Sequence, residues 1–465
     1  MTKISLIWVC LLAAGTAHAA EPLRLHPQNP HYFLFRGKPA VLVASTEHYG
    51  AVLNLDFDFR AYLDELKSHG LNLTRTFSGV YCEAPGNFNI KNNTLAPLDG
   101  RFASPWARSD EPGYAGGGNK FDLKRWDESY FERLKEFISQ AGQRGVVVEL
   151  VLFCPFYEES MWARSPLNTV NNVNEIGKVV RTDVYALKND ALTGVQTELV
   201  EKLARELNDF DNLYYEICNE PYFGGVTLAW QARIAATLVE AEKKLSVRHL
   251  IAQNIANGSQ KIERPDENVS IFNFHYATPP DAVAANFDLN RPIGDDETGF
   301  RGSDDVTYRS EGWEFLLAGG AVYDNLDYSF TTEQESGAAR PDAPGGGGRV
   351  LREQLGVLKR FVESFDLVMM RPDRSVLTGL PDKVSAQVLA NPGKEYALYL
   401  RGGASVEFAL RLPAGKYRLE WLHPSSGKTE GQRQLTAGTE PVRLIAPAYN
   451  EDIALAIRRV TSDER

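Results

Sequence analysis

The sequence has few cysteines and few histidines for its length. Of its 465 residues, 4 are cysteine and 8 are histidine. No group of them has the spacing of a zinc site, and the early His-x-His pair of many metallohydrolases is missing from the sequence. We therefore predict neither a metal ion nor another cofactor. Beyond the first 20 residues only Cys82, Cys154 and Cys218 remain, and an odd number excludes a complete disulfide framework, although one bridge is possible beside buried free thiols.

Positive charge and long apolar runs are scarce as well. Lys and Arg number 50 against 61 Asp and Glu, and the resulting net charge of −11 argues against nucleic acid as a partner. The apolar run at residues 4–14 is too short to span a bilayer. It follows Lys3 and precedes the small-x-small triplet at 17–19, which is the pattern of a cleavable export signal. We predict a signal peptide over residues 1–20, a secreted or periplasmic protein, and no membrane insertion.

Strand-like and helix-like segments alternate from about residue 38 to 368. The predicted strands are 40–46, 71–79, 146–153, 212–220, 249–254, 269–276, 291–297 and 321–330. The predicted helices are 57–70, 126–145, 193–207, 227–245, 308–320 and 350–365. Such alternation predicts parallel βαβ units, and eight strands are the number of a closed (β/α)8 TIM barrel. A doubly wound open sheet is the alternative, but it usually has a glycine-rich turn after its first strand, where this chain has "STEHYG".

Three long irregular segments, at 79–121, 154–192 and 331–349, each follow a strand and precede a helix. In a barrel such segments lie on the C-terminal face, where active sites form. From residue 369 onward the pattern changes to short alternating strands separated by Pro- and Gly-containing turns, which is typical of an antiparallel β-sandwich. We therefore divide the chain into a signal peptide over 1–20, a catalytic (β/α)8 barrel over 21–368 and a small C-terminal β-sandwich over 369–465.

Two carboxylates stand at the ends of predicted barrel strands. Glu220 ends the fourth strand, and we expect the following Pro221 to hold it in an extended conformation. Glu297 ends the seventh strand, with Asp295 on the same face and Asp296 beside it as alternatives. Two carboxylates facing each other across a barrel mouth are the groups needed for glycoside hydrolysis, in which one acts as the acid and the other attacks the sugar or activates water.

Further residues complete a recognisable pattern. Arg75 closes the second strand, "ICNEP" spans the end of the fourth, and "FHY" at 274–276 lies on the sixth. Over residues 35–368 this set resembles the large clan of retaining glycoside hydrolases typified by family 5 cellulases. The C-terminal part is similar to small β-sandwiches appended to apiosidase-like members of that clan.

The resemblance implies a role for each matching residue. It implies that Glu220 is the acid/base and Glu297 the nucleophile. Asn219 would bond the sugar 2-hydroxyl, and Arg75 would hold the nucleophile ionised. His275 and Tyr276 would order the two carboxylates, Tyr276 by a hydrogen bond to Glu297.

Other residues are candidates because of where they lie in the chain. Glu47, His48 and Tyr49 follow the first strand and could line a sugar pocket, although a structural role for Glu47 is equally compatible with its position. Trp106 and Trp162 lie in the long segments and are candidates for stacking on a sugar, and Tyr328 at the end of the eighth strand is a candidate for binding substrate. Glu149 and Glu216 lie inside strands, where buried carboxylates must be paired, so we interpret them as scaffold around Arg75.

These observations favour a secreted retaining glycoside hydrolase that cleaves a β-linked poly- or oligosaccharide. The narrow mouth of a barrel favours a short distance between the two carboxylates and therefore retention of anomeric configuration. The main alternative is a carbohydrate-binding protein that has kept the barrel and lost catalysis. A lytic or metal-dependent enzyme is a third possibility, disfavoured by the lack of clustered histidines. The sugar, its linkage, the position of cleavage within the glycan and the oligomeric state stay open.

Overall fold

The computed structural model describes residues 21–340 and 344–460, so the signal peptide predicted over residues 1–20 lies outside the described residues. Eight parallel strands form one sheet, and they confirm the predicted barrel. These strands are Leu42–Thr46, Leu73–Phe77, Val147–Val151, Leu213–Glu216, Ile251–Asn257, Ile271–His275, Ile293–Thr298 and Val322–Leu326. Each pairs with the next along the chain from the second strand onward, and the eighth pairs with the first through Val322 and Leu42.

Asn72 closes the barrel between its first two strands. Its backbone N–H donates to the carbonyl of Val43 at 3.1 Å. Its side-chain Oδ1 accepts from the N–H of Val43 at 2.9 Å, and its Nδ2 donates to the carbonyl of Val41 at 2.9 Å. One asparagine therefore supplies the hydrogen bonds that a continuous ladder would otherwise provide.

Helices surround the sheet. The α-helices are Phe59–Ser68, Glu128–Gln143, Glu159–Trp162, Asp190–Leu207, Leu228–Glu242, Asp281–Asn286, Asp305–Leu317 and Arg349–Glu363. The first helix, Phe59–Ser68, shows why such segments are helical. The side chain of Asp58 caps its N-terminus by accepting a hydrogen bond from the N–H of Arg60, and one face of the helix is buried through Phe59, Tyr62, Leu63 and Leu66. The fifth strand passes to the sixth without a helix in this fully described stretch. Among the residues described, no helix combines the length and the apolar character needed to cross a bilayer.

Two small sheets were not predicted from the sequence. Strands Arg24–Leu25, Phe33–Phe35 and Lys38–Ala40 form an antiparallel sheet beneath the barrel, where the N–H of Leu23 donates to the carbonyl of Asp211 at 2.8 Å. Strands Trp106–Pro112 and Asn119–Trp126 form a hairpin that begins inside the segment 79–121, which was expected to be irregular, and continues to the first residue of the predicted helix 126–145.

The C-terminal part is an antiparallel two-sheet unit, as predicted. One sheet contains Arg371–Pro372, Ser385–Asn391, Glu395–Arg401, Gly415–Leu422, Thr429–Ala437 and Asp452–Arg459, and the other contains Leu377–Thr378, Glu407–Leu410 and Val442–Ile445. The first sheet packs on barrel helix Asp305–Leu317. Trp313 stacks on Tyr399 with ring centroids 5.4 Å apart, and Arg309 pairs with Asp452 at 2.9 Å. From Tyr308 to Leu317 every residue of this helix is therefore buried, between the barrel and the sandwich.

Candidate active site

The two predicted carboxylates meet in a cavity of about 480 Å³ at the C-terminal mouth of the barrel. Glu220 and Glu297 both line it and are 9% and 6% exposed. One oxygen of each and a ring nitrogen of His275 all lie within 4.8 Å of one another. Asp295 and Asp296, the alternatives to Glu297, are fully buried in the barrel wall. Further residues line the cavity: His48, Tyr49, Phe77, Tyr81, Glu83, Phe88, Leu95, Cys154, Tyr157, Asn219, Phe223, Asn257, Tyr276, Gly299, Phe300 and Arg301.

Glu297 is surrounded by hydrogen-bond donors. The hydroxyl of Tyr276 donates to its Oε1 at 2.6 Å, the hydroxyl of Tyr49 to its Oε2 at 2.9 Å, and Nη1 of Arg75 to the same Oε2 at 3.3 Å. Burial alone would raise the pKa of Glu297, but the charge of His275 and then that of Arg75 outweigh it and hold this pKa well below its usual value. Glu297 is thus kept as an anion, which is the state that a nucleophile needs.

Glu220 is held by two tyrosines. The hydroxyl of Tyr157 donates to its Oε2 at 2.6 Å, and the hydroxyl of Tyr222 donates to its Oε1 at 3.2 Å. Asn219 is fixed from both sides, since its Oδ1 accepts from Nη2 of Arg75 at 2.8 Å and its Nδ2 donates to Tyr157 at 2.9 Å. The Asn-Glu pair is therefore oriented as a unit towards the cavity.

The expectation of an extended Glu220 is wrong. Its φ is +36°, in the left-handed region, and the N–H of Phe223 donates back to its carbonyl at 3.0 Å. Pro221 disfavours the right-handed helical region for the residue before it, and the chain satisfies this with a tight turn instead of a continued strand. Tyr49, Tyr276 and Phe300, which also line the cavity, have φ values of +58°, +53° and +57°. Such strained backbone clusters at functional sites.

His275 joins the two carboxylates to the barrel interior. Its Nδ1 lies 3.4 Å from Oε1 of Glu220 and 3.5 Å from Oε1 of Glu297, while its Nε2 lies 3.5 Å from Oδ1 of Asp296. Burial alone would lower the pKa of His275, but the carboxylates of Glu297 and Asp296 outweigh it and raise this pKa well above its usual value. His275 therefore acts as a buried cation beneath the pair.

A second acidic cluster, formed by Glu149, Glu216 and Asp296, lies beneath the cavity around Arg75. Nη2 of Arg75 contacts Glu216 at 2.5 Å, and its Nε lies 3.4 Å from Asp296 and 3.9 Å from Glu149. Nδ2 of Asn273 lies within 3.0 Å of an oxygen of each of the three carboxylates. All three are fully buried and none lines the cavity, which confirms the interpretation of Glu149 and Glu216 as scaffold around Arg75.

Within residues 21–340 and 344–460, two groups of side chains have the geometry to hold a metal ion. They are Glu220 with His275 and Glu297, and the buried acidic cluster of Glu149, Glu216 and Asp296. In the first, His275 carries a proton at ordinary pH, and a metal would have to displace it. In the second, the guanidinium of Arg75 already supplies the positive charge. The donor sets therefore fit protons and arginine better than a metal ion.

The residues after the first strand divide between the cavity and the scaffold. His48 and Tyr49 line the cavity, but Glu47 does not. Its carboxylate accepts from the backbone N–H groups of Gly50 at 2.9 Å and Ala51 at 3.0 Å, and from the hydroxyl of Thr94. The structural alternative for Glu47 is the correct one, because these bonds tie the first strand end to the neighbouring loop.

The prediction that Trp106 and Trp162 stack on sugar is wrong. Trp106 is 1% exposed and stacks on Trp126 within the unpredicted hairpin. Trp162 is 4% exposed and donates its indole N–H to the carbonyl of Val179 at 3.3 Å. Tyr328 is 8% exposed and lies outside the lining residues, behind Phe300 at a ring distance of 6.1 Å.

Other lining residues were missed. Glu83 brings a third carboxyl group to the cavity, and three of the aromatic lining side chains are exposed: Phe88, Phe223 and Phe300. Tyr222, a partner of Glu220, is exposed beside Phe223. All of them follow a barrel strand in the chain, Phe300 by two residues and Phe88 by eleven, and this position was the available signal. The three cysteines at 82, 154 and 218 are buried free thiols, and Cys154 lines the cavity.

Comparison with known proteins agrees with this geometry. Residues 101–307 match the family model for cellulase, glycosyl hydrolase family 5. A search among curated proteins finds no match. A candidate glycoside hydrolase from Bacteroides vulgatus has a TM-score of 0.66 at 16% identity, over 95% of this chain and 83% of its own. A family 5 glycoside hydrolase from the same organism has a TM-score of 0.63 at 14% identity, over 94% and 93%. Such structural likeness supports the fold, and with the family model it confirms the resemblance seen in the sequence.

Proposed function

We propose that the chain, a (β/α)8 barrel whose residues 101–307 match the family 5 cellulase model, is a glycoside hydrolase that cleaves β-glycosidic bonds with retention of configuration. Glu297 is the nucleophile and Glu220 the acid/base. The substrate is a β-linked poly- or oligosaccharide. The signal-like segment at residues 1–20 supports export to the periplasm or the exterior as part of the same proposal.

The spacing of the two carboxylates carries the mechanism. Oxygens of Glu220 and Glu297 lie within 4.8 Å of each other. Retaining enzymes hold the two groups about 5–5.5 Å apart, whereas inverting enzymes need about 6.5–9.5 Å to admit a water molecule. This short separation supports direct attack by Glu297 and leaves little room for an intervening water.

In the first step, an oxygen of Glu297 forms a bond to the anomeric carbon. The bond to the leaving oxygen breaks, and Glu220 gives that oxygen its proton. The contacts of Glu297 with Arg75 and Tyr276 suit this role, because they stabilise a carboxylate that must not pick up a proton before it attacks.

In the second step, Glu220 removes a proton from water, and the water oxygen attacks the same carbon as the bond to Glu297 breaks. Tyr157 and Tyr222 hold Glu220 in place for both proton transfers. Asn219, fixed between Arg75 and Tyr157, is the candidate partner of the sugar 2-hydroxyl.

The main alternative is a sugar-binding protein without catalysis. A sugar-binding protein needs no anionic Glu297 backed by the cations Arg75 and His275, and burying these charges costs free energy of folding. This observation favours the enzyme.

The experiment is a panel of β-glucans, mannans, xylans, galactans and their oligosaccharides, assayed for released reducing ends. We expect hydrolysis by the native protein and by Glu333→Gln, an exposed site outside the cavity, and none by Glu297→Gln. Binding of a glycan without hydrolysis would establish the alternative.

A further inference from the structure

We propose that Glu83 and His48 bind hydroxyl groups of the sugar attacked by Glu297, and that the loop carrying Glu83 closes the pocket beyond that sugar. The enzyme then removes single sugars from a chain end. This inference rests on the proposed function and adds to it the position of cleavage.

Glu83 is a buried acid with acceptor capacity left over. It lines the cavity yet is only 2% exposed. Its Oε1 accepts from the hydroxyl of Tyr81 at 3.2 Å, and its Oε2 accepts from Nδ2 of Asn93. A carboxyl group offers about four hydrogen-bonding positions, one of which is a donor when the group holds its proton, so these two bonds leave positions free for the hydroxyls of a ligand.

The gap between Glu83 and His48 fits a hydroxyl group. Nε2 of His48 lies 4.0 Å from Oε1 of Glu83. That distance is too long for a direct hydrogen bond. Burial lowers the pKa of His48 to about 4, so the ring is neutral at ordinary pH and has one N–H donor and one acceptor nitrogen. A sugar hydroxyl, which both donates and accepts, satisfies both groups from one position between them.

The two residues lie on the nucleophile's side of the pocket. Tyr49, which donates to Glu297, stands edge-on to the ring of His48 at 5.5 Å. Burial, and then the charge of Glu297, raises the pKa of Glu83 to about 8. Since Glu220 protonates the leaving oxygen, the departing part of the substrate lies towards Glu220. The sugar that stays with the enzyme therefore lies between Glu297 and the pair of Glu83 and His48.

The wall at this end is fixed by the scaffold. The N–H of Glu83 donates to the carbonyl of Leu95 at 2.9 Å, and the carbonyl of Thr94 accepts from Asn54 at 2.9 Å. Thr94 also donates to Glu47. At Gly50 a Cβ would lie 2.1 Å from the carbonyl oxygen of Thr94, so only glycine permits this contact. The loop is thus locked onto the first strand end.

The side of the pocket near Glu220 is lined by exposed aromatic rings, one of them from the loop that carries Glu83. Phe88 and Phe223 are 39% and 44% exposed, and both rings contact Tyr157, the partner of Glu220, at 5.6 and 5.8 Å. Exposed aromatic rings suit the apolar faces of further sugars or of an aryl leaving group. A closed polar end and an exposed aromatic side are the arrangement that an enzyme cutting from the chain end requires.

The first test is the size of the initial product. The native protein is incubated with the oligosaccharides and polysaccharides of the panel and with nitrophenyl β-glycosides, and early products are separated by chromatography. We expect single sugars first. Longer oligosaccharides as first products, with Glu297→Gln inactive, would overturn this inference and leave the proposed function intact. No cleavage of any substrate would count against the proposed function and remove the basis of this inference.

The second test isolates the two side chains. On the best-cleaved nitrophenyl glycoside, Glu83→Gln and His48→Gln should each lower kcat/KM by about 10- to 100-fold, the range for hydrogen bonds to charged or buried groups. The same glycoside is then prepared lacking one hydroxyl at a time. One of these deoxy sugars should be cleaved at least about 100-fold more slowly by the native protein, and that penalty should be about 10-fold or more smaller in each variant, because each variant has already lost one of the two partners of the hydroxyl.

The comparison of penalties separates binding from structure. A variant that merely distorts the pocket slows every substrate and keeps the deoxy penalty, and that result in both variants would overturn the inference. Glu333→Gln serves as the matched control and should keep the native rates and the native penalty. Thermal unfolding of each variant confirms that it is folded, and His48→Gln provides an independent test if Glu83→Gln is unstable.

Discussion

The barrel contains two layers of buried acids, and they differ in how their charge is handled. At the mouth, Glu297 accepts hydrogen bonds from two tyrosines and Arg75, and its pKa is lowered although burial opposes this. One layer below, burial and then the charge of Glu216 raise the pKa of Glu149 to about 8, and burial raises that of Asp296 well above its usual value. Glu216 in the same cluster is the exception: burial would raise its pKa, but the charge of Arg75, 2.5 Å away, outweighs this and lowers it. Equally buried carboxyl groups are thus anions or proton-bearing according to their partners.

The difference follows from the partners that each layer receives. The three carboxylates of the buried acidic cluster share the guanidinium of Arg75 and the amide of Asn273, while Tyr214 donates to Glu149 at 2.7 Å and His275 lies 3.5 Å from Asp296. Arg75 and His275 supply too little positive charge for these three carboxylates and Glu297 together. Glu297 contacts both cations and adds the hydroxyls of Tyr49 and Tyr276. Local donors, and not burial as such, therefore decide which acid is available for chemistry.

The largest effect should come from the mouth. Glu297→Gln and Glu220→Gln should each lower turnover on the natural substrate by at least about three orders of magnitude, because one removes the attacking oxygen and the other the transferable proton. Steady-state kinetics and circular dichroism would measure the loss and confirm the fold. If either variant kept more than a tenth of native activity, the role assigned to that residue would be wrong.

Arg75→Met should produce the next largest effect, because this side chain serves both layers. Removing it leaves several buried carboxylates without their cation, which we expect to lower the free energy of unfolding by about 3–5 kcal/mol. Urea denaturation would measure this. Arg349→Met, on an arginine whose side chain is 76% exposed, is the control and should change little. A loss below about 1 kcal/mol for Arg75→Met would mean that the acids are stabilised by other means.

Glu149→Gln should change how stability depends on pH. The pKa of Glu149 is raised from 4.5 to about 8 on folding, so the folded state holds a proton that the unfolded state has released. The stability linked to this proton is full below pH 4.5 and is lost as the pH rises through about 8. Between these values native stability should fall more steeply than that of Glu149→Gln. Parallel curves from urea titrations would contradict the proton-bearing state of Glu149.

Chelation should have the smallest effect, since both layers are held by protons and arginine. We expect activity in EDTA to equal that in untreated buffer. Activity that disappears in EDTA and returns with a divalent ion would show that one of the acidic groups holds a metal. It would contradict the claim that protons and Arg75 alone hold both layers.

Periodicity and strand-end positions predicted much of this molecule. The eight barrel strands follow from apolar runs separated by amphipathic helices, and Glu220 and Glu297 were found because functional groups in this fold stand at strand ends. Glu149 and Glu216 were recognised as scaffold because a carboxylate inside an apolar strand must be paired.

The three long segments were harder to predict, because they have no periodic hydrophobic pattern that indicates where each residue lies in the fold. The hairpin ending at Trp126 buries Trp106 against its own strand partner, a contact that no local pattern indicates. Glu83 enters the cavity because Leu95 and Thr94 hold its loop from a distance along the chain. The left-handed φ of Glu220 likewise depends on the turn that follows it.

The stereochemistry of the first product tests the central claim most directly. Proton NMR of the reaction, recorded in the first minutes before mutarotation, reports the anomer that the enzyme releases. Because the two carboxylate oxygens lie within 4.8 Å, Glu297 should attack directly and the product should appear first as the β-anomer, as in the substrate. Initial appearance of the α-anomer would contradict both the assignment of Glu297 as nucleophile and the retaining mechanism.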